Sequence, residues 1–396
     1  MASEYAEVYK KGKFAATLER GSYGLRFSYA PNYIAVDNLP IATTLPLSTA
    51  PITNSNGAAP AYFAGLLPEG RRLNAIAKRI RASIDDDFSL LVDIGSDLIG
   101  DVQVIKPGFP LNDDRGSIKF HKNELIESFI SIRNEYFGMK STGLPGFQDK
   151  ISARMLSARS RIDGREAILK FNPDDVPFAA ENEHFFLNLA KKCGIKTAEN
   201  YLVQDSQGVK ALVVERFDRL KQNEESLRLA AEDGCQVLNR YPSDKMKLSL
   251  EEVANGLIKN CPARGVAAYE FFKQVVFSWL TGNGDTHAKN FSILENSLGE
   301  WEISPAYDLL CTRFYDDRDM ALPLQGEVTG WSRSSLLRFA TEIGLPEKVA
   351  DSVIRKQLTV LSVLPSALGA GALPFARHLN FDVESFLNKR ARRLEG

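Results

Sequence analysis

Asn283-Gly284-Asp285-Thr286-His287-Ala288-Lys289-Asn290, followed by Pro305-Ala306-Tyr307-Asp308, is the stretch whose reading decides this chain. Moving a phosphoryl group from a nucleotide requires a carboxylate at the attacking hydroxyl and oxygen ligands for magnesium. The reason is that the transition state spreads negative charge over several oxygens. Asp285 can serve as that carboxylate, and Asn290 and Asp308 as the metal ligands. A hairpin joins the two parts: a strand over 291–294, a turn over 296–299 and a strand over 301–303 would return Asp308 to the side of Asn290. Lys289 and His287 lie inside the loop. Lys289 reads as a phosphate contact; His287 either touches phosphate and orients Asp285, or is a structural histidine with its partners satisfied.

Asn290 follows Asp285 by five residues, the spacing of the protein-kinase loop H-R-D-x-x-x-x-N. Upstream, the pattern reads as strands over 150–155 and 167–171, a helix over 181–193 ended by Gly194, and strands over 200–203 and 210–215. Strands, one helix and further strands is the order of a kinase N-lobe. Lys170, at the end of its strand, would carry the cation for the α/β-phosphates, with Glu183 as its partner; a solvated lysine and a surface carboxylate are the plainer readings. Gly146, Gln148 and Lys150 lie in a loop, 144–150, that would cover the phosphates with backbone N–H groups, although a Pro-Gly turn explains it as well. Residues 213–219 fall where an interlobe hinge would meet adenine. Beyond Asp218 the pattern is mostly helical, over 250–258, 267–280, 334–343, 347–364 and 383–393.

The first hundred residues differ. Short alternating runs over 4–9, 14–18 and 25–29 read as strands, 61–84 as helical and basic, 88–94 as helix and 102–105 as strand. Residues 107–115, rich in Pro, Gly, Asn and Asp, read as a linker, and 123–132 as a helix after it.

At 396 residues the chain is long enough for two or three packed units. Hydrophobic residues at 44% and charged residues at 25% match soluble globular proteins, which excludes a disordered chain. With 49 Lys plus Arg against 50 Asp plus Glu there is no bulk attraction to nucleic acid or anionic membrane. Cys193, Cys235, Cys261 and Cys311 are too far apart for a zinc site and read as buried thiols. No signal-like or membrane-spanning apolar run is visible, so the expected location is the cytoplasm. No G-x-x-x-x-G-K-[ST] run occurs, which argues against a Walker-type ATPase.

Together these motifs resemble the HipA family of toxin serine/threonine kinases. The resemblance runs through Leu66-Leu67-Pro68-Glu69-Gly70, the segment 95–102, Pro145-Gly146-Phe147-Gln148-Asp149-Lys150, Val214-Glu215-Arg216-Phe217-Asp218, Glu232-Asp233-Gly234-Cys235-Gln236, residues 283–292 and Tyr307-Asp308. It implies an α+β fold in which a β-rich subdomain (1–108) precedes a kinase-like N-lobe (109–219) and a helical C-lobe (220–396). It also implies ATP and Mg2+ as cofactors, Asp285 as the base, Asn290 and Asp308 as metal ligands, Lys170 on phosphate, and Glu215 and Phe217 beside adenine. The implied partners are a small helix-turn-helix antitoxin like HipB, which alone contacts DNA, and a protein acceptor such as an aminoacyl-tRNA synthetase. The implied effect is growth arrest. Family members often autophosphorylate a serine three residues before the loop glycine. Gly143 stands there, which leaves Ser141 and Thr142 as the nearby hydroxyls and Ser152 as a strand serine. The alternatives are a small-molecule kinase of the aminoglycoside-phosphotransferase type, whose loop also reads G-D-x-x-x-x-N, and a nucleotide-binding pseudokinase acting in repression.

Overall fold

A computed structural model describes residues 4–22, 24–36, 38–54, 58–111, 118–121, 126, 128–137, 156–222 and 225–395. Its N-terminal part is an antiparallel sheet ordered β4-β3-β2-β1-β5, built from β1 (Glu4–Lys10), β2 (Lys13–Gly21), β3 (Gly24–Tyr29), β4 (Ile52–Thr53) and β5 (Val102–Ile105). Alternation aims Ala6, Val8, Ala16, Leu18 and Phe27 inward, where they pack with Tyr62, Phe63, Leu90 and Leu91 from the covering helices. The helical stretch expected over 61–84 is two helices, Ala61–Leu66 and Gly70–Ile80. Pro68 separates them, because proline disfavours helical backbone in the residue before it.

The second sheet is ordered β6-β7-β8-β10-β9, from β6 (Ile118–Phe120), β7 (Leu156–Ile162), β8 (Arg165–Phe171), β9 (Asn200–Gln204) and β10 (Lys210–Glu215). Only the β6–β7 pair is parallel. The helix Ala179–Lys192 crosses from β8 to β9 and is closed by Gly194, at φ 76°. The expected strand over 150–155 lies outside the described residues. Of the helix expected over 123–132, residues 123–125 and 127 lie outside the described residues; Ile126 and Ser128 are not helical, and the described helix is Phe129–Phe137. The Asp205 carboxylate accepts the Phe129 N–H at 2.8 Å, so a partner distant in sequence fixes where the helix begins.

Past Asp218 the chain is less purely helical than its pattern suggests. A hairpin, β11 (Arg219–Gln222) and β12 (Glu225–Arg228), is followed by β13 (Ala231–Asp233), which pairs with β14 (Ser292–Glu295) and through it with β15 (Trp301–Ile303). The helices pack around Arg264–Thr281, whose residues from Phe271 to Thr281 are all buried. Trp279 stacks on Trp331 at 5.0 Å and Arg390 covers its ring at 4.2 Å, which fastens the C-terminal helix Arg377–Glu395 to this axis. All four cysteines are buried free thiols. Among the described residues no helix is long and apolar enough to cross a membrane.

Candidate active site

The central helix Arg264–Thr281 ends at Gly282, whose φ of 72° turns the chain sharply into Asn283. Gly284 then passes so close to its surroundings that a Cβ would sit 2.6 Å from the Asp319 carbonyl oxygen, and its N–H donates to the Thr312 hydroxyl at 2.8 Å. These constraints place Asp285, which is buried, at the head of the loop. Residues Ala288–Asn290 close it with one 3-10 turn, in which the His287 N–H donates to the Asn290 side-chain oxygen at 3.0 Å.

The β14–β15 hairpin returns the chain as its spacing implies. The Asn290 amide donates to Asp308 Oδ2 at 3.3 Å. Asn283 ties the two ends together: its oxygen accepts the Asp285 N–H at 3.3 Å and its amide donates to the Asp308 carbonyl at 3.2 Å. No role was read for Asn283 from sequence, although it opens the diagnostic run. Asp308 holds φ 52°, a conformation aspartate tolerates better than most residues with a side chain. Tyr307 donates to the Lys289 carbonyl at 2.6 Å and lies 2.5 Å from the Ser292 hydroxyl, so the strand after the loop is stitched to the loop itself. Burial raises the Tyr307 pKa and keeps that phenol protonated.

Lys170 reaches this group from the other lobe. In β8, Ala167, Leu169 and Phe171 enter the core beneath the sheet, so Lys170 points to the opposite face. There its ammonium contacts Glu183 Oε1 at 2.7 Å and Oε2 at 3.0 Å, and it bonds Asp308 Oδ1. Burial alone would lower the Lys170 pKa, but Asp308 and Glu183 raise it above the usual lysine value. Burial raises the Glu183 carboxyl, and Lys170 opposes that rise. Asp308, with 30% of its side chain exposed, is the member of this group that opens to the cleft.

At the hinge, the Glu215 N–H donates to the Glu199 carbonyl at 2.8 Å, and its carboxylate meets Arg165 at 3.1 Å. The Phe217 ring lies 5.7 Å from Tyr307, so an aromatic pair adjoins Asp308. The flanking charges are buried rather than solvated. Asp218 takes Arg216 at 2.6 Å, Arg219 at 2.8 Å and the Gly100 N–H at 2.8 Å, and Asp97 takes Arg216 at 2.6 Å and Arg219 at 3.1 Å. Burial would raise the Asp218 carboxyl, but the two guanidiniums hold it down to about 2. The network was invisible in the sequence because Asp97 and Gly100 lie more than 100 residues from the Arg216, Asp218 and Arg219 that they meet.

The structure therefore brings together Lys170, Glu183, Asp308 and Asn290, with Asp285 joined to them through Asn283. Lys289 faces elsewhere: its ammonium donates to the Gly65 carbonyl at 2.8 Å and to Asp233 at 2.9 Å. Gly146, Gln148 and Lys150, and with them Ser141, Thr142 and Ser152, lie outside the described residues.

Two families match successive parts of the chain, the HipA N-terminal domain over residues 6–105 and the HipA-like C-terminal domain over residues 142–363. The putative kinase Y4mE of Sinorhizobium fredii is 28% identical over 393 residues, covering 91% of this chain and 90% of the relative. The serine/threonine-protein kinase toxin HipA of Shewanella oneidensis is 25% identical over 341 residues, covering 79% and 77%. The solved structure of the Shewanella oneidensis HipA, HipB and operator DNA complex contains a chain of the same fold, with a TM-score of 0.78 at 21% identity over 99% of this chain and 97% of that one. The α+β, kinase-like architecture expected from the motifs is thus the observed one. With both domain families matched in order and the second spanning over half of its length, the chain belongs to the HipA family of kinases.

Proposed function

We propose that this chain is an ATP- and magnesium-dependent serine/threonine-protein kinase that acts as the toxin of a two-component module. The observation that carries the reading is Lys170, held between Glu183 and Asp308 while Asn290 bonds the other oxygen of Asp308. That arrangement supports reading Lys170 as the phosphate-binding cation and Asp308 with Asn290 as the metal side of a kinase site.

The donor set suits magnesium. Asp308 offers carboxylate oxygens at the cleft, and Asn290, whose side-chain oxygen accepts the His287 N–H while its amide faces Asp308, would give the ion the second lone pair of that oxygen. Among the described residues no cluster of three or more His, Cys, Asp or Glu could hold an ion without help. Magnesium commonly takes one or two protein oxygens and completes its shell with water and phosphate. When bound, it would neutralise the charge of the β- and γ-phosphates. Lys170 would hold the α/β-phosphates, oriented by Glu183. Asp285 would accept the proton of the attacking hydroxyl as the oxygen–phosphorus bond forms and the bond to the β-phosphate oxygen breaks. Phe217 and the Glu215 backbone would line the adenine side, and His287 would steady the loop through its N–H bond to Asn290. Gly146, Gln148 and Lys150 remain the proposed phosphate cover, and Ser141 or Thr142 the proposed self-modification site.

Similarity to a chain named a serine/threonine-protein kinase toxin supports a toxic outcome; growth arrest in the cytoplasm, with a translation component such as an aminoacyl-tRNA synthetase as acceptor, is part of the proposal. The HipB in the matched complex supports a small helix-turn-helix partner that carries the DNA contact. The test is transfer of labelled γ-phosphate from ATP and magnesium in a bacterial extract, with Asp308→Asn beside wild type. Protein bands labelled by wild type alone support the reading. Nucleotide binding with no labelled protein would redirect it to a small-molecule acceptor of the aminoglycoside type or to a pseudokinase.

A further inference from the structure

Glu69 meets the catalytic loop from a different folding unit. It stands between the helices Ala61–Leu66 and Gly70–Ile80 of the N-terminal part, and its carboxylate faces two lysines. Oε2 takes the Lys245 ammonium, and Oε1 lies 3.7 Å from the Lys289 ammonium. Both lysines lead to the same short loop. Lys289 belongs to it, and the Lys245 carbonyl accepts the Ala288 N–H at 3.1 Å. Lys289 is also bound by the Gly65 carbonyl, at the C-terminal end of the first helix, and by Asp233.

The packing allows little slack. Asp233 caps the short helix Gly234–Val237, and a Cβ at Gly234 would stand 2.6 Å from the Ala288 carbonyl oxygen. Gly65 is equally close-packed, since a Cβ there would lie 2.6 Å from the Gln236 side chain. The Gln236 amide in turn donates to the Tyr62 carbonyl at 2.9 Å. With only 14% of its side chain exposed, Lys289 spends its charge on Asp233 and Glu69 rather than presenting it to the cleft. Burial would lower its pKa, and these two carboxylates raise it instead.

We propose that Lys289 is a positioning residue, through which Glu69 and Gly65 of the N-terminal unit fix the catalytic loop and so set Asp285 against Asn290 and Asp308. The inference rests on the phosphotransfer reading above and gives Lys289 a different task from the phosphate contact suggested by its place in the sequence. The N-terminal unit becomes a brace of the active site, because it supplies two of the three partners of a lysine inside the loop. Loss of that brace lets the base drift, and a displacement of about 1 Å at a reacting group costs about 100-fold in rate.

The experiment compares the full chain with Glu69→Gln, Lys245→Met and Lys289→Met, and with Thr43→Val. The Thr43→Val change weakens the same domain junction at Glu232 without removing a partner of Lys289. Backbone hydrogen exchange over 283–290 is read by mass spectrometry, and phosphate transfer is read with varied ATP and magnesium on the acceptor that wild type labels. Faster exchange of the loop in Glu69→Gln and Lys289→Met is expected, with kcat lowered about 10- to 100-fold and the KM for ATP within about threefold. Thr43→Val should lower the melting temperature and leave both readouts near wild type. Combining Glu69→Gln with Lys289→Met should add to Lys289→Met no more than Lys245→Met loses by itself, because Glu69 then acts through Lys245 alone. Lys245→Met removes one arm only and gives a smaller change of the same sign, so the test survives if Glu69→Gln does not fold. Loop exchange equal to wild type in Glu69→Gln and Lys245→Met overturns the proposal whether or not transfer is seen. A Lys289→Met variant that raises the KM for ATP more than tenfold at unchanged kcat overturns it in favour of direct phosphate contact. Absence of transfer by wild type, with loop exchange responding as expected, would fault the phosphotransfer reading instead.

Discussion

The amide of Asn290 lies 3.3 Å from the carboxylate of Asp308, which follows it by 18 positions on the far side of the β14–β15 hairpin. This one bond brings the two motifs to a single point, because the hairpin folds the chain back on itself. We expect Asp308→Asn and Asp285→Asn each to lower phosphate transfer by about 100-fold or more. They should differ in binding. Asp308→Asn weakens magnesium-dependent nucleotide binding in calorimetric titration and Asp285→Asn does not. Unchanged transfer in either variant would remove the site assignment.

Glu183 shares the Lys170 ammonium with Asp308, and both members of the pair are buried. Glu183→Gln leaves Lys170 leaning wholly on Asp308, which holds the lysine away from phosphate and competes with the metal. Transfer should fall by about 10- to 100-fold with a raised KM for ATP, as measured by initial rates. A variant with normal KM would mean that Lys170 is oriented by something else.

Glu232 joins the N-terminal unit to the core through the Thr43 N–H at 2.8 Å and the Thr43 hydroxyl at 2.7 Å. Burial pushes its carboxyl up to about 7, against the pull of the two Thr43 bonds. An acid with a raised folded pKa binds more protons folded than unfolded between its ordinary value and about 7. Its effect on stability is therefore unfavourable above pH 7 and is relieved as pH falls toward that ordinary value. Glu232→Gln should remove this slope and stabilise the chain at pH 8 by on the order of 2 kcal/mol, read from urea unfolding at pH 5 and pH 8. An equal change at both pH values would contradict the assignment.

Asp97 anchors the hinge from the N-terminal unit by receiving Arg216 and Arg219. Burial would raise its carboxyl, but Arg216, Arg219 and Arg159 lower it well below the ordinary range. Its stabilising effect is thus present above the unfolded value and is lost as pH falls through the lower folded one. Asp97→Asn leaves the two buried guanidiniums of Arg216 and Arg219 sharing Asp218 and should cost about 3 kcal/mol in urea unfolding near neutral pH. A loss below about 0.5 kcal/mol would place the network among weak surface pairs.

Local order was legible wherever it follows from neighbours along the chain. β5, β10, β15 and the helix Leu250–Ile258 begin and end where their patterns do, because apolar period and turn residues act within a few positions. The approach of Asn290 to Asp308 was legible for the same reason, since a short loop and a tight hairpin leave those groups few places to go. β7 was missed: its inward residues Leu156, Ala158, Ser160 and Ile162 include two small side chains that blunt the alternation. β11, β12 and β13 were missed as well, in a part of the chain whose pattern is mostly helical.

The sequence by itself determined the family and the α+β fold class, and it marked Asp285, Asn290 and Asp308 as neighbours, because those are written in residue type and spacing. Only the tertiary structure decided where the long charged side chains point. Lys289 and Arg216 look like solvent or phosphate residues when read in line, yet each is committed to a carboxylate or carbonyl more than 100 residues away. A lysine or arginine reaches several ångströms from its backbone and takes whichever acceptor burial places nearest. That acceptor is set by how the N-terminal unit docks on the core, which no local pattern encodes.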